Sequence, residues 1–154
     1  MNVSDKHPRA HSLKIREKLI GAYQNGILAL AGLIAHGRGE CFDYIIGEKT
    51  QPFALKAEKV AAAALLTAKK PVISVNGNLA ALCPKELTQL SELVTAKVEV
   101  NIFHRSQKRL KVISNFLQKN GLKDIYGVNS QKCVPMPKIC SLRSKVDPRG
   151  LLIA

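Results

Sequence analysis

Apolar side chains recur at helical spacing near the start of the chain. The stripe follows Ser12, which suits a helix N-cap, and stops before Gly26, which suits the position after a helix; its members are Leu13, Leu19, Ile20 and Tyr23. We therefore predict a helix over residues 12–25. A second helix is predicted over residues 50–69, because a proline falls in its first turn and an alanine run fills its middle.

Residues 27–40 are first apolar and then rich in glycine, and they fit no single period. We expect this segment to be strand-like or irregular and to lead into a loop. One or two helical turns are predicted over residues 42–46, with Gly47 at their end.

Strands and helices alternate after residue 71. Apolar runs predict strands at 72–75, 98–103 and 125–128, and helical spacing predicts helices over 84–93 and from Ser106 to Gly121. Short connections between such elements favour right-handed βαβ units and a parallel sheet. We therefore predict an α/β fold that binds its ligands beyond the carboxyl ends of the strands.

The end of the sequence affects the predicted domain organisation. Residues 129–149 are loop-like, and residues 151–154 look like the start of another strand that stops without a turn, cap or polar tail. We interpret the chain as a fragment or a truncated product. The expected organisation is one α/β domain over 1–154, with a helical arm at 1–70 and a βαβαβ core at 71–154.

The net charge of the chain limits the kinds of molecule that it is expected to bind. The 154 residues carry a net charge of +13, and positions 104–154 hold eleven basic and two acidic residues. This bias favours nucleotides, phosphorylated metabolites or nucleic acid without choosing among them. A polar N-terminus and the absence of a long apolar run predict a cytoplasmic protein with no membrane partner.

The cysteines do not predict a metal site. The chain has no Cys-x-x-Cys pair among Cys41, Cys83, Cys133 and Cys140, so zinc is not expected. We expect all four to be small buried hydrophobic side chains in a reducing compartment.

A cation stands between two glycines in the segment AHGRGE, residues 35–40. Gly37 and Gly39 would let a ligand approach the main chain, and the guanidinium of Arg38 suits phosphate or carboxylate. We expect an anion-handling loop here. Two interpretations of Arg38 remain open: a phosphate ligand, or a structural ion pair with Glu40, Asp43 or Glu48.

The neighbouring side chains also allow two interpretations each. His36 is a candidate general base or a hydrogen-bonded structural residue. Glu40 and Asp43 are candidate Mg²⁺ ligands, because this ion takes only one or two carboxylates beside substrate oxygens, or they cap the following helical turns. Arg16, by its spacing alone, is an exposed helical residue.

Polar residues follow the predicted strand ends. Asn76 and Asn78 flank Gly77 and are either amide ligands or plain turn residues. Asn101 and Arg105 follow the next strand, and Arg105 is a candidate anion ligand. The chain has neither a Gly-x-Gly-x-x-Gly nor a Walker A loop, so a nucleotide must be held in another way. A solvated helix face, rather than a nucleic-acid stripe, is predicted for Lys108, Arg109 and Lys111 because no aromatic residues interleave with them.

These segments together resemble archaeal phosphopantothenate synthetase, also called 4-phosphopantoate–β-alanine ligase. The resemblance spans essentially the whole chain, in order, through His7-Pro8-Arg9, Leu13 to Lys18, Ala31 to Glu40, Phe42-Asp43-Tyr44, Gly47 to Thr50, Pro71 to Asn78, Ala80-Ala81-Leu82, Val98 to Phe103 with Arg105, and Val146-Asp147-Pro148 with Gly150. The combination of AGLIAHGRGE with PVISVNGN is specific rather than a generic nucleotide motif.

The resemblance implies an ATP-dependent ligase of coenzyme A biosynthesis that joins 4-phosphopantoate to β-alanine through an acyl-adenylate and releases AMP and pyrophosphate. It also implies Mg²⁺, a homodimer and a Rossmann-like three-layer fold. By this resemblance Arg16 and Arg38 are ATP ligands, with Gly37 and Gly39 beside them, and His36 is the candidate base for the β-alanine amine. The candidate substrate ligands are Asn76, Asn78, Asn101 and Arg105.

Chains of the resembled family continue well past the Asp-Pro-x-Gly element, whereas this sequence stops at Ala154. We therefore expect the nucleotide pocket to be only half built in this chain. The alternative functions are a basic nucleic-acid-binding module over residues 104–145 and an inactive remnant of the ligase.

Overall fold

The computed structural model describes residues 4–103 and 105–129 and the backbone of a strand at 152–153. Its helices are α1 Ala10–Gln24, α2 Leu30–Ile46, α3 Pro52–Thr67, α4 Gly77–Leu82, α5 Pro84–Leu93 and α6 Gln107–Lys119. Its strands are β1 Val72–Val75, β2 Lys97–Val100, β3 Ile125–Tyr126 and β4 Leu152–Ile153. The loop predicted over 129–149 lies, apart from its first residue, outside the described residues.

The strands form one parallel sheet in the order β3-β2-β1-β4. Ile73 in β1 pairs with Val98 in β2, and Val98 pairs with Ile125 in β3. The predicted α/β class with a parallel, Rossmann-like sheet is therefore confirmed. The strand predicted at the end of the sequence is also confirmed, since β4 pairs with β1.

Aliphatic side chains form a continuous core between the sheet and the helices. Val75, Val98 and Val100 of the two central strands are almost fully buried in it. The helices contribute residues that are equally buried, among them Leu19, Leu87, Leu110, Ile113 and Leu117. Each such side chain contributes about 1.5–3 kcal/mol of hydrophobic stabilisation, so this core fixes the positions of the strand ends.

Residues 27–40 are not strand-like or irregular, because most of them belong to the unbroken helix α2. Gly37 and Gly39 lie inside this helix without the positive φ that would require glycine, so the predicted glycine loop is wrong. The helix ends instead at Gly47, where φ is 86°. The sequence does not show a helical period here because α2 carries apolar side chains on its solvent side as well as on its buried side. The exposed apolar residues of α2 include Leu30, Ile34 and Ile45.

The Asn-Gly-Asn segment after β1 is not a plain turn. Asn76 is the N-cap of α4, and its Oδ1 accepts a hydrogen bond from the Leu79 N–H at 2.9 Å. The following residues therefore continue as a short helix, since the asparagine side chain satisfies one of the amides at its first turn.

Helix α3 agrees with the helix predicted over residues 50–69, including the proline in its first turn. Within it Leu65 is buried, whereas Phe53, Val60 and Leu66 are largely exposed. Even so, none of the helices in the described part of the chain has the length and apolar character needed to cross a membrane.

The cysteine prediction is wrong at one position. Cys41 is an exposed free thiol on α2, on the same side of the helix as Ile34 and Ile45. Cys83 is a half-buried free thiol at the junction of α4 and α5. Cys133 and Cys140 lie outside the described residues.

Candidate active site

The carboxyl ends of β1 and β2 lie side by side. The Asn101 N–H donates a hydrogen bond to the Val75 carbonyl at 2.9 Å, so the residues that follow the two strands leave the sheet together. Asn76 is exposed at this edge and Asn101 is half-buried. Parallel α/β sheets bind their ligands at such an edge.

The Asn78 side chain connects the start of α2 to the carboxyl edge of the sheet by a hydrogen bond. Its Nδ2 donates to the Gly32 carbonyl at 3.1 Å. A Cβ at Gly32 would lie 2.6 Å from Asn78 Oδ1 and equally close to a Leu28 methyl group. A second close approach occurs at Gly77, where a Cβ would lie 2.8 Å from the Ile27 carbonyl oxygen. The segment between α1 and α2 therefore packs directly on the start of α4.

Hydrogen bonds from two guanidinium groups also connect the elements at the carboxyl edge of the sheet. Arg105 donates to the Gly127 carbonyl at 2.9 Å, and Arg109 donates to the Ile27 carbonyl at 3.2 Å. Gly127 has a φ of 89°, and a Cβ there would lie 2.5 Å from the Val100 carbonyl oxygen, so the loop after β3 closes tightly on β2. Burial lowers the pKa of Arg109 from its ordinary value. The predicted solvated helix face is therefore wrong at Arg109, whose guanidinium turns into the protein to reach Ile27, whereas Lys108 and Lys111 are exposed as predicted.

A separate charged cluster joins α1 to α2, with Glu40 at its centre. Glu40 is buried, and its Oε2 accepts a hydrogen bond from Arg16 Nη2 at 2.5 Å. Its Oε1 lies 3.8 Å from Arg9 Nη2 and 3.9 Å from His36 Nε2. The hydrogen bond and the charge of Glu40 raise the pKa of Arg16 above its ordinary value, so this guanidinium is firmly charged.

A cleft of about 440 Å³ opens beside this cluster; we call it the α1–α2 cleft. It is lined by the start of α1, one face of α2 and the loop before α3, including His11, Ser12, His36, Glu40, Asp43 and Lys49. Another cleft, of about 310 Å³, lies at the amino end of the sheet near Lys97 and Asp124. That second cleft contains none of the predicted site residues.

Arg38 lies on the other side of α2. Positions two residues apart in a helix are separated by about 200° around the axis, so Arg38 faces away from His36 and Glu40. It is exposed, and it makes no hydrogen bond or ion pair with a residue that the structure describes. The structural ion pair that was one interpretation of Arg38 is therefore not formed with Glu40, which bonds Arg16 instead.

Comparison with known proteins identifies the family. The model of the phosphopantothenate/pantothenate synthetase family matches residues 53–154. A curated 4-phosphopantoate–β-alanine ligase of Methanospirillum hungatei is 52% identical over 129 residues, and one of Thermococcus kodakarensis is 46% identical over 152 residues. The chain belongs to this family. The aligned regions cover 84% and 98% of this chain, respectively.

The chain spans about half the length of the curated relatives it matches. The alignment covers 53% of the Methanospirillum hungatei synthetase and 58% of the Thermococcus kodakarensis one. A third relative, the Methanosarcina mazei ligase, is 47% identical over 128 residues, which are 83% of this chain and 51% of that protein.

Sequence spacing did not reveal the central position of Glu40 in this chain. His36 and Glu40 are four residues apart, a spacing that brings two side chains together only on a helix. The pair would have been visible if residues 30–46 had been recognised as helical. Arg9 and Arg16 lie far from Glu40 in the sequence, so no local pattern predicts that their side chains contact it.

The described residues offer carboxylates but no ready-made metal centre. Residues 4–103 and 105–129 contain no group of three or more His, Cys, Asp or Glu side chains placed to hold a metal ion. Glu40 is engaged by Arg16, whereas Asp43 and Glu48 line the α1–α2 cleft. Since Mg²⁺ needs only one or two carboxylates beside substrate oxygens, the donor set at the cleft is compatible with that ion.

Proposed function

We propose that this chain takes part in the ATP-dependent condensation of 4-phosphopantoate with β-alanine, giving 4-phosphopantothenate, AMP and pyrophosphate in coenzyme A biosynthesis in the cytoplasm. The observation that carries the proposal is the similarity to curated ligases over nearly the whole chain. The residue types fit the chemistry. A carboxylate that attacks the α-phosphorus of ATP needs cations and amide donors, because several anions must be brought together.

The proposed ATP ligands are Arg16 and Arg38. The Arg16 side chain is 42% exposed while Glu40 holds one of its nitrogens, so it combines a fixed position with access to a ligand. Arg38 is exposed between Gly37 and Gly39, and the space where their side chains would stand is open. Preorganised donors of this kind stabilise charge that spreads onto phosphate oxygens in the transition state.

The proposed general base is His36. The β-alanine amine must lose a proton before it attacks the adenylate, and His36 lines the α1–α2 cleft. Its Nε2 lies 3.9 Å from Glu40 Oε1, and this carboxylate would stabilise the imidazolium that forms when His36 takes the proton.

The proposed substrate ligands lie at the carboxyl edge of the sheet. Asn76 and Asn101 follow the two central strands, and Asn78 and Arg105 support the elements around them. Amide and guanidinium donors suit the phosphate and hydroxyl oxygens of 4-phosphopantoate.

Asp43 and Glu48 are the side chains that would hold Mg²⁺ at the α1–α2 cleft. When bound, the ion would offset the negative charge of the triphosphate.

We further propose that the protein is a homodimer. Helices α2 and α3 expose an extended set of apolar side chains, namely Leu30, Ile34, Phe42, Ile45, Phe53, Val60 and Leu66. Apolar surfaces of this extent mark protein interfaces. Arg38 lies on the same side of α2 as Ile34 and Ile45, so the proposed ATP ligand would stand next to this interface.

The test measures which nucleotide products form, and in what amounts, with the protein made from its complete coding region. With ATP, 4-phosphopantoate and β-alanine we expect AMP and pyrophosphate in equal amounts, and omission of β-alanine should stop turnover. Formation of ADP, or no nucleotide product at all, would overturn the proposal. Tight binding to random duplex DNA with a steep salt dependence would instead favour the nucleic-acid alternative.

A further inference from the structure

One carboxylate, that of Glu40, faces nitrogen-bearing side chains from two helices. Arg9 and Arg16 approach it from α1, and His36 approaches it from the preceding turn of α2. The Glu40 side chain is only 10% exposed, whereas those of Arg9 and Arg16 are 36% and 42% exposed. The carboxylate of Glu40 is therefore on the buried, inner side of the cluster, and parts of the two arginine side chains are on its outer side, in contact with solvent.

The inner side contains polar atoms whose hydrogen-bonding capacity is unused. Arg9 Nε, His36 Nε2 and Glu40 Oε1 are buried and have no hydrogen-bond partner among the described residues. Such atoms are rare in native proteins, and each calls for a partner that the described residues do not supply. Glu40 and His36 line the α1–α2 cleft, and Arg9 reaches the same carboxylate oxygen, Glu40 Oε1.

We propose that Glu40 is a positioning residue that holds Arg9 and Arg16 as a pair of ligands for the phosphate oxygens of a substrate. The proposal rests on the function proposed above and adds Arg9 to its anion site. Each guanidinium has five N–H donors, so contact with one carboxylate leaves donors for phosphate. Glu40 Oε2 fixes Arg16, while Glu40 Oε1 and the Tyr44 ring, whose centre lies 5.4 Å from the Arg9 guanidinium carbon, confine Arg9.

The charges of the cluster favour an anion. The two guanidinium groups repel each other, and the single carboxylate between them offsets this repulsion while leaving one net positive charge. Arg9 is also the residue at the N-cap of α1, and no side chain of the described residues caps that helix end. The positive end of the α1 dipole therefore adds to the attraction for phosphate.

The decisive variant is Glu40→Gln, which keeps the shape of the side chain and removes its charge. Calorimetric titration of the protein made from its complete coding region should show affinity for ATP lowered about ten- to a hundredfold, as expected when a charge-assisted contact is lost. Arg9→Ala should cause a loss in the same range. Parallel titrations with 4-phosphopantoate distinguish the two phosphate sources, since the ligand whose affinity falls is the one that the pair binds.

Non-additivity separates positioning from a purely structural role. Because Glu40 acts through the arginines, the double variant Glu40→Gln/Arg9→Ala should lose less affinity than the product of the two single losses. In turnover Arg9→Ala should raise KM for the affected ligand more than it lowers kcat, because Arg9 has no part in the proton transfer proposed for His36. Glu40→Asp keeps the charge on a shorter stem and should restore part of the affinity.

The matched control is Glu92→Gln, an exposed Glu→Gln change at the amino end of the sheet, which should keep wild-type affinity. Unchanged affinity for both ligands in Glu40→Gln and Arg9→Ala would overturn the inference, as would fully multiplicative losses. If Glu40→Gln unfolds, Arg9→Ala and Glu40→Asp decide the matter. Failure of the proposed function would look different, because the wild-type protein would then form no AMP at all.

Discussion

The Asn78 side chain donates a hydrogen bond to the Gly32 carbonyl, 46 residues earlier in the chain. This contact joins the first turn of α2 to α4 at the carboxyl edge of the sheet. Helix α2 also carries His36, Arg38 and Glu40, so a single amide contributes to the placement of the whole candidate site. The close approach leaves no room for a side chain at Gly32.

Gly32→Ala should therefore destabilise the protein. The added Cβ would lie 2.6 Å from Asn78 Oδ1 and from Leu28, and overpacking of this kind costs about 1–3 kcal/mol. Gly39→Ala is the matched control in the same helix, because its Cβ meets nothing within 4 Å; it should stabilise by roughly 0.5–1 kcal/mol. Urea unfolding measures both, and equal effects would contradict the packing seen here.

The two possible roles of Asn76 can be separated. Asn76→Ala should cost about 1 kcal/mol because α4 loses its N-cap, whereas Asn76→Ser should keep the cap and most of the stability. If Asn76 also binds substrate, the serine variant should still lose AMP formation. The control is Ser106→Ala, which removes the N-cap of α6 at the same edge of the sheet. If AMP formation falls as much in Ser106→Ala as in the Asn76 variants, the loss reflects the helix cap and argues against a substrate role for Asn76.

Arg38→Ala is expected to abolish most AMP formation while leaving the unfolding free energy unchanged. Its side chain makes no hydrogen bond or ion pair with a described residue, and loss of one preorganised donor typically lowers the rate by about 10²–10³. Arg38→Lys should recover little, because lysine lacks the bidentate fork. Wild-type rates in Arg38→Ala would remove Arg38 from the site.

Charge placed on the exposed apolar face should dissociate the proposed dimer. Ile45 on α2 is 76% exposed and Phe53 on α3 is 72% exposed, so Ile45→Asp and Phe53→Asp should shift the mass seen by light scattering from dimer to monomer. Leu93→Asp is the matched control, since Leu93 is 77% exposed at the end of α5. A monomeric wild type, or a dimer unaffected by the first two changes, would place the interface elsewhere or exclude it.

Local patterns were sufficient to predict the strands and the two helices α5 and α6, but not the short helix α4. Helices α5 and α6 have strong apolar stripes and clear end signals, such as the Ser106 cap, and both lie where they were predicted. The strands lie at the predicted places, although β2 ends at Val100 and β3 at Tyr126, earlier than predicted, and their parallel pairing follows from the alternation with helices.

Local patterns failed where the helix surface is apolar on two sides. Helix α2 buries part of its surface and exposes Ile34 and Ile45, so its sequence has no clear helical period, and its glycines suggested a loop. The same error hid the His36–Glu40 pair. The contact from Arg16 to Glu40 spans 24 residues and depends on how α1 packs against α2, which no local spacing encodes.

The central claim is that the carboxylate of 4-phosphopantoate attacks the α-phosphorus of ATP. Its most direct test uses 4-phosphopantoate with heavy oxygen in the carboxylate and follows the label by mass spectrometry. We expect one labelled oxygen in AMP, because the bond from the carbonyl carbon to that oxygen breaks when the β-alanine amine attacks. Label in inorganic phosphate, or AMP without label, would contradict an acyl-adenylate and with it the assigned chemistry.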